Sequence, residues 1–303
     1  MHTIHQFGGD WTQEKLERLR KYLPAYMRIF TANERARYYT TYYVDAFAGT
    51  GSRDSGENDE VSTLSLLEDL QDEKDVKQFY EGSANIALES HPPFNRYIFI
   101  ENKSAFVQEL RTLESRYPER KIQIVQQDAN DFLQEWCGSM NWERNRAVVF
   151  LDPYGMAVDW KTIESLAATK AVDLWVLLPV GQAINRVLTR KGIPEGAWAD
   201  KLTRFFGTEI WKDVFYNNNP QPQAQLSLLP SDTIQLDSEK MATFESIGLF
   251  FLERLGTVFE RVAENSLVLL NSKKVPIYQL FFAAANPKGA PTAVRIANDI
   301  LRG

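Results

Sequence analysis

Apolar residues recur along this chain in two rhythms. Between Arg96 and Leu178, short continuous apolar runs alternate with stretches in which apolar positions return every third or fourth residue. The runs Arg96 to Ile100, Ile122 to Gln126, Ala147 to Leu151 and Val172 to Leu178 predict buried strands. Between them, Ser104 to Tyr117, Ala129 to Trp136 and Trp160 to Thr169 predict helices. Strands that are apolar throughout, separated by amphipathic helices, predict a parallel sheet covered on both faces by right-handed crossovers. Upstream, Leu16, Leu19, Leu23, Tyr26 and Met27 fall at helical spacing between Trp11 and Phe30, with Pro24 marking a kink or a split. A further apolar run from Thr41 ends at Asp45. A helix from Gly82-Ser83 through Ile86, Ala87 and Leu88 leads to a turn at His91-Pro92-Pro93.

The C-terminal part breaks this rhythm. A helix from Met241 to Glu260 is followed by Ser266 to Leu270, a Lys273-Lys274 turn and Pro276 to Ala284, which predicts an antiparallel strand pair at the sheet edge. Two regions fall outside the alternation. Arg53 to Lys77 is acid-rich and reads as a surface insertion with one helix, Ser62 to Leu70. Gly181 to Glu239 carries Arg186, Arg190, Lys191, Trp198, Lys201, Arg204, Phe205 and Phe206, then a Gln/Pro/Leu-rich linker, and reads as a helical cap inserted after the fifth strand. The domain organisation expected is a core of residues 1–180 and 240–303 with residues 181–239 inserted.

Composition narrows the class. At 303 residues, 44% hydrophobic and 24% charged, the chain has the profile of one large α/β domain or a core with an insertion. A single cysteine, Cys137, excludes an internal disulfide and is read as a small buried residue. The Cys and His spacing has no metal-site pattern, and His2 and His5 read as part of a terminus rather than a metal pair. No apolar stretch reaches bilayer length, and polar residues spread through the N-terminus leave no signal-peptide core, so the expectation is a cytoplasmic chain without a membrane partner. A net charge of −6 argues against a general nucleic-acid coat, while leaving room for a local basic groove.

The chemistry gathers at the strand ends. In an open parallel sheet, ligands bind beyond the carboxyl ends of the strands, where this sequence places Asp45, Glu101, Asp128 and Asp152. The run Tyr43-Val44-Asp45-Ala46-Phe47-Ala48-Gly49-Thr50-Gly51 fits a strand entering a tight loop in which backbone approaches a nucleotide-like ligand. A cofactor built of an amino acid, a ribose and an adenine needs such a loop, a carboxylate for the ribose hydroxyls and a polar group at the adenine edge. Gly49/Gly51, Glu101 and Asp128-Ala129 supply these in order. Negative charge at the loop disfavours a dinucleotide phosphate, and only two of three fingerprint glycines are present, which makes a dehydrogenase the poorer fit. Asp152-Pro153-Tyr154-Gly155 is the most pointed tetrapeptide. Proline fixes a turn at the strand end, Asp152 and the Pro153 carbonyl can accept from a substrate amine, and Tyr154 can stack on a base. Structural roles compete at several positions: Asp45 and Asp128 can each cap a helix, and both the glycine loop and the Asp152 turn can be turns alone.

Five alternating strands and a late hairpin form the layout of class I methyltransferases. The chain resembles the three-Cys-motif partner family (TcmP) through Trp11-Thr12-Gln13-Glu14-Lys15-Leu16 with Tyr22-Leu23, Tyr43 to Gly51, Gly82-Ser83 with Ala87-Leu88, Phe99-Ile100-Glu101, Asp128-Ala129-Asn130 and Phe150-Leu151-Asp152-Pro153-Tyr154-Gly155. The likeness covers roughly the first 180 residues, and weakly Tyr278 to Asn298. It implies a Rossmann-like class I fold with a mostly parallel seven-stranded sheet, S-adenosyl-L-methionine as cofactor, and a radical-SAM-like three-cysteine protein as partner. It assigns Asp45, Ala46, Phe47, Gly49 and Gly51 to the methionine loop, Glu101 and Asn102 to the ribose, and Asp128 and Ala129 to the adenine. Asp152, Pro153 and Tyr154 take the catalytic motif, with Lys15 or Trp11 closing the site from the N-terminal helix.

Two departures bear on the chemistry. Asp-Pro-Tyr-Gly lacks the second proline of the adenine-N6 motif, so adenine, guanine-N2 and no base at all stay open. Glu101 also follows Gly51 at far more than the ~20 residues of a compact βαβ unit. Two functions are thus expected in competition: methylation of an exocyclic amine in RNA or DNA, or a non-catalytic scaffold for the three-cysteine protein.

Overall fold

A computed structural model describes residues 10–46, 82–153, 155–190, 192–217 and 239–303. The glycine loop, with Phe47, Gly49 and Gly51, the acid-rich stretch, and Tyr154 lie outside these residues. Helix α1, Asp10–Ala32, precedes strand β1, Thr40–Ala46. Helix α2, residues 82–89, leads into β2, Arg96–Ile100. The alternation continues through α3 (Ser104–Arg116), β3 (Ile122–Val125), α4 (Ala129–Ser139), β4 (Asn145–Leu151), α5 (Trp160–Ala168) and β5 (Val172–Leu178). Most boundaries fall within a residue or two of those predicted; α4 runs three residues further, to Ser139. Pro24 does not split the segment: one helix, α1, runs through it to Ala32. Burial of Leu19, Tyr22, Leu23, Tyr26 and Met27 along one side outweighs the single backbone hydrogen bond that proline removes.

After β5 a π-helical turn, Val180–Ile184, leads to α6 (Ala197–Phe206), α7 (Trp211–Phe215) and the two-residue strands β6 (Tyr216–Asn217) and β7 (Glu239–Lys240). The predicted helix Met241 to Glu260 is shorter, as α8, Phe244–Gly256, which a Thr243–Ser246 capping box starts. Residues Arg261–Val262 beyond it form a two-residue strand, β8, outside any element expected from the sequence. β9 (Leu267–Leu270), β10 (Pro276–Ala284) and α9 (Ala290–Arg302) complete the chain.

The main sheet has eight strands rather than the seven expected. Its order is β3-β2-β1-β4-β5-β10-β8, with β9 also on β10. The first five are parallel. β10 runs antiparallel beside β5 and bonds on its other side to both β8 and β9. The extra strand arises because one edge is interrupted between Val262 and Leu267, so two short strands share one long neighbour. This is an α/β fold with a mostly parallel central sheet of Rossmann-like design. Among the described residues no helix is long and apolar enough to cross a membrane.

Strand alternation sorts side chains into two layers. Tyr42, Val44, Ala46, Ile98, Ile100, Val149, Leu151, Val176 and Phe281 pack on one face with α4, α5 and α8. Leu202, Phe205, Phe206, Trp211 and Phe215 from α6 and α7 join that same cluster. Thus the aromatic half of the expected basic segment is buried, while Arg204 pairs at 3.0 Å with Asp159. On the other face, Tyr43, Tyr97, Phe99, Val148, Phe150, Trp175 and Phe282 pack against α1, α2, α3 and α9.

Candidate active site

The odd-numbered positions that put Tyr43 on the α1 face put Asp45 there too, one repeat nearer the carboxyl end. The parallel register sets Asp45 beside Phe99 and Phe150. Two residues beyond those, and again on the α1 side, come Glu101 and Asp152. Sequence alternation and register therefore bring three carboxyl groups into one layer at the sheet's carboxyl edge. Asp45 and Glu101 are each 1% exposed and Asp152 is 9% exposed.

Buried carboxylates need partners, and here they receive them unequally. Asp152 Oδ2 takes a full ion pair from Lys15 Nζ at 2.7 Å. That lysine, 3% exposed, lies 4.8 Å from the Trp11 ring centroid and 5.9 Å from that of Tyr278. The two rings are themselves 5.2 Å apart. Helical spacing explains the first wall, since Trp11 and Lys15 are four residues apart on α1. Burial holds Lys15 below its usual range, opposed by Asp152 and, more weakly, by Asp45. Asp45 accepts from Tyr43 Oη at 3.1 Å, while among the described residues its Oδ1 is buried with no partner at hydrogen-bonding distance, the Ser83 hydroxyl being the nearby donor. Glu101 Oε1 accepts from the Lys103 amide at 2.6 Å, and Oε2 is likewise buried and unsatisfied among the described residues. Desolvation raises both carboxyl groups to about 7. In Asp45 the nearby Asp152 adds to the rise, while Ser83 and Tyr43 oppose it.

Around this layer the remaining expected residues take distinct places. Asp128 caps α4, its Oδ1 accepting from the Asn130 and Asp131 amides at 2.9 and 3.2 Å. Ala129 is buried as the first residue of that helix, and Asn102 is exposed. Ala46 is buried and points to the opposite layer from Asp45. Pro153 is buried, and Gly155 has a φ of +57°, a left-handed conformation that a side chain would strain. The structure thus joins Lys15, Asp45 and Asp152 in one electrostatic cluster and adds Glu101 to the same layer. It sets Asp128 and Ala129 at the start of α4, beyond β3.

No family model matches the chain, and no curated relative matches it. Among solved structures it is similar to protein LPL1258 of Legionella pneumophila str. Philadelphia 1, from the family DUF519. The alignment spans 98% of this chain and 92% of that one at 12% identity, with a TM-score of 0.48.

Sequence reasoning missed two roles. Asn130, 2% exposed, donates to Ala157 O and accepts from the Asp159 amide and Thr162 Oγ1, each at 2.9 Å. It pins the chain that leaves Asp152-Pro153 to the start of α4, so one amide side chain fixes where that turn can go. A polar residue next to an N-cap, on a helix face otherwise apolar, was the available signal. Tyr278 gave no signal at all, because its place beside Lys15 depends on β10 lying next to β5. One close approach secures that placement: a Cβ at Gly181 would sit 2.0 Å from Pro276 O.

Proposed function

We propose that this chain is an S-adenosylmethionine-dependent methyltransferase acting on an exocyclic amine of a nucleic-acid base. The observation that carries the reading is the pair of buried oxygens, Asp45 Oδ1 and Glu101 Oε2, that have no hydrogen-bond partner among the described residues, in one layer at the carboxyl edge of a parallel sheet. Orphaned buried acceptors are costly unless a donor reaches them. A ribose diol and an amino-acid ammonium are donors of the right kind, so the residues present fit the cofactor. Glu101 would take the ribose hydroxyls and Asp45 the methionine end. Both carboxyl groups are held near 7 by desolvation, and a donor or cation docking against them shifts them toward the ionised form.

The sheet order also supports it: β3-β2-β1-β4-β5 followed by an antiparallel strand is the layout of class I methyltransferases, and the TcmP resemblance rests on the same strand ends. The cofactor supplies an electrophilic methyl group; the protein's part is to orient an amine and accept its proton. Exocyclic base amines are poor nucleophiles, and an acceptor such as Asp152 that draws on the N–H raises their reactivity. Exposed Arg186 and Arg190, on the turn leaving the carboxyl end of β5, offer phosphate contacts at the same edge.

Isothermal titration with S-adenosylmethionine and S-adenosylhomocysteine tests the reading. Binding weakened by Glu101→Ala, and methyl transfer to RNA or DNA abolished by Asp152→Ala with binding kept, are the expected results. No affinity for either compound disposes of it.

One observation favours a second reading, a non-catalytic scaffold for a three-cysteine radical-SAM-like protein. The Asp152 oxygen that would draw on a substrate amine already holds Lys15. Stable co-purification with such a partner, and no turnover on any nucleic acid, would select this alternative.

A further inference from the structure

Two amines compete for one carboxylate if Asp152 serves a substrate, and the structure shows which one is already there. Lys15 Nζ lies 2.7 Å from Asp152 Oδ2, at the hydrogen-bonding distance required of an acceptor and its amine. The lysine is carried by a continuous helix anchored a further two turns along by Tyr22 Oη, which donates to Asp173 Oδ2 at 2.8 Å. That second anchor holds α1 against β5 and keeps the amine at the strand end.

From this geometry we propose that Lys15 is itself a methyl acceptor, so that the protein modifies its own α1 at the Asp152 turn. The inference rests on the methyltransferase reading. It adds a substrate class, a primary alkyl amine supplied by the chain, to a site otherwise assigned to bases.

Three features support it independently. An alkyl amine, once neutral, is a far better nucleophile than a base amine, whose lone pair is delocalised into the ring. Burial favours that neutral form of Lys15. The faces of Trp11 and Tyr278 beside Nζ provide what a methylated ammonium binds, since aromatic faces attract cations whose N–H groups have been replaced by methyls. The product is therefore accommodated where it forms.

The step balances within these groups and the donor. The Lys15 ammonium first gives one Nζ proton to Asp152 Oδ2 within the ion pair; the freed Nζ lone pair then forms the new N–C bond as the donor's S–C bond breaks, and that bond's electrons remain on sulfur as a neutral thioether. The first methylation leaves a secondary ammonium. The proton that Asp152 took from the starting ammonium passes on to solvent, which restores the carboxylate opposite the methylated ammonium. Installing the methyl also costs Nζ one of its three donors, which weakens its hold on Asp152.

Mass spectrometry of the full chain tests this after incubation with S-adenosylmethionine and no nucleic acid, with titration of the same compound run in parallel. The expected result is a gain of one or more methyl groups on the peptide containing Lys15. Asp152→Asn and Lys15→Arg both lose it while cofactor binding persists. Cofactor bound with Lys15 unmodified, or a methyl found on another residue instead, overturns the inference and leaves the methyltransferase reading standing. Absence of cofactor binding overturns both. A methyl already on Lys15 in protein purified from its own cells is a second expected readout, and it does not depend on activity in vitro.

Discussion

The two faces of the central sheet are made by the same strands, yet one is dry and the other carries the titratable groups. Against α5 and α8, the buried side chains of β1, β4 and β5 are apolar, and Trp160, Phe205, Phe251 and Phe281 pack ring on ring. Against α1, the alternate positions of those strands hold Asp45, Asp152 and Asp173 among aromatics, met by Lys15 and Tyr22. Stability can be concentrated on one face because burial of the apolar strand side chains there needs no partner beyond shape. The other face gives up some of that gain to hold charged groups away from water, where their interactions are stronger and their protonation can be tuned.

That contrast can be broken from either side. On the dry face, Phe251→Ala removes a fully buried ring and should cost about 4 kcal/mol in chemical denaturation. It should leave S-adenosylmethionine affinity unchanged; a loss of affinity would mean the faces are not separable. On the polar face, Lys15→Met leaves Asp152 without its cation and should cost about 3 kcal/mol, much of it recovered in the Lys15→Met/Asp152→Asn double variant. Additive losses would show that the pair is not coupled.

A smaller effect sharpens the contrast through pH. Asp173 is raised to about 7, chiefly by burial, with Tyr22 and Arg146 opposing, and Asp45 and Glu101 are raised to the same value. An acid whose folded pKa is raised binds its proton more tightly when folded. Its contribution is therefore full below the unfolded value near 4 and disappears as pH rises through 7. The melting temperature should thus fall between pH 5 and pH 8. Asp173→Asn, which keeps an acceptor for Tyr22, should remove about 2 kcal/mol of that dependence. An unchanged slope would place the titration elsewhere. The smallest change is expected from Glu101→Gln, which keeps an acceptor for the Lys103 amide and removes a desolvated carboxylate. It should stabilise the unliganded protein at pH 8 by about 1 kcal/mol while weakening cofactor binding. Destabilisation would indicate that the charged form is favoured in the fold.

Legibility in the sequence followed the range of the interactions concerned. Strands β2 and β5 were readable to the residue because an uninterrupted apolar run between polar breaks has few alternatives as a local structure. At Pro24 the local rule allowed a split, and the buried side of α1 carries one helix through it. The two residues of β8 could not be read, since so short a strand exists only because β10 lies beside it. Asp128 illustrates a reading left divided, for the capping role weighed beside cofactor contact is now visible in the α4 amides.

By itself the sequence determined the alternation of elements and which residue stands at the end of each strand, because both follow from periodicities of two and 3.6 residues within single segments. Only the tertiary structure decided that Lys15, Asp45 and Asp152 share one buried cluster, that Glu101 has an oxygen unsatisfied among the described residues, and that Tyr278 forms a wall beside Lys15. Residues as far apart as Lys15 and Asp152 meet through the register of parallel strands and the docking of α1 across them. No local pattern encodes such contacts, since they are set by how whole elements pack.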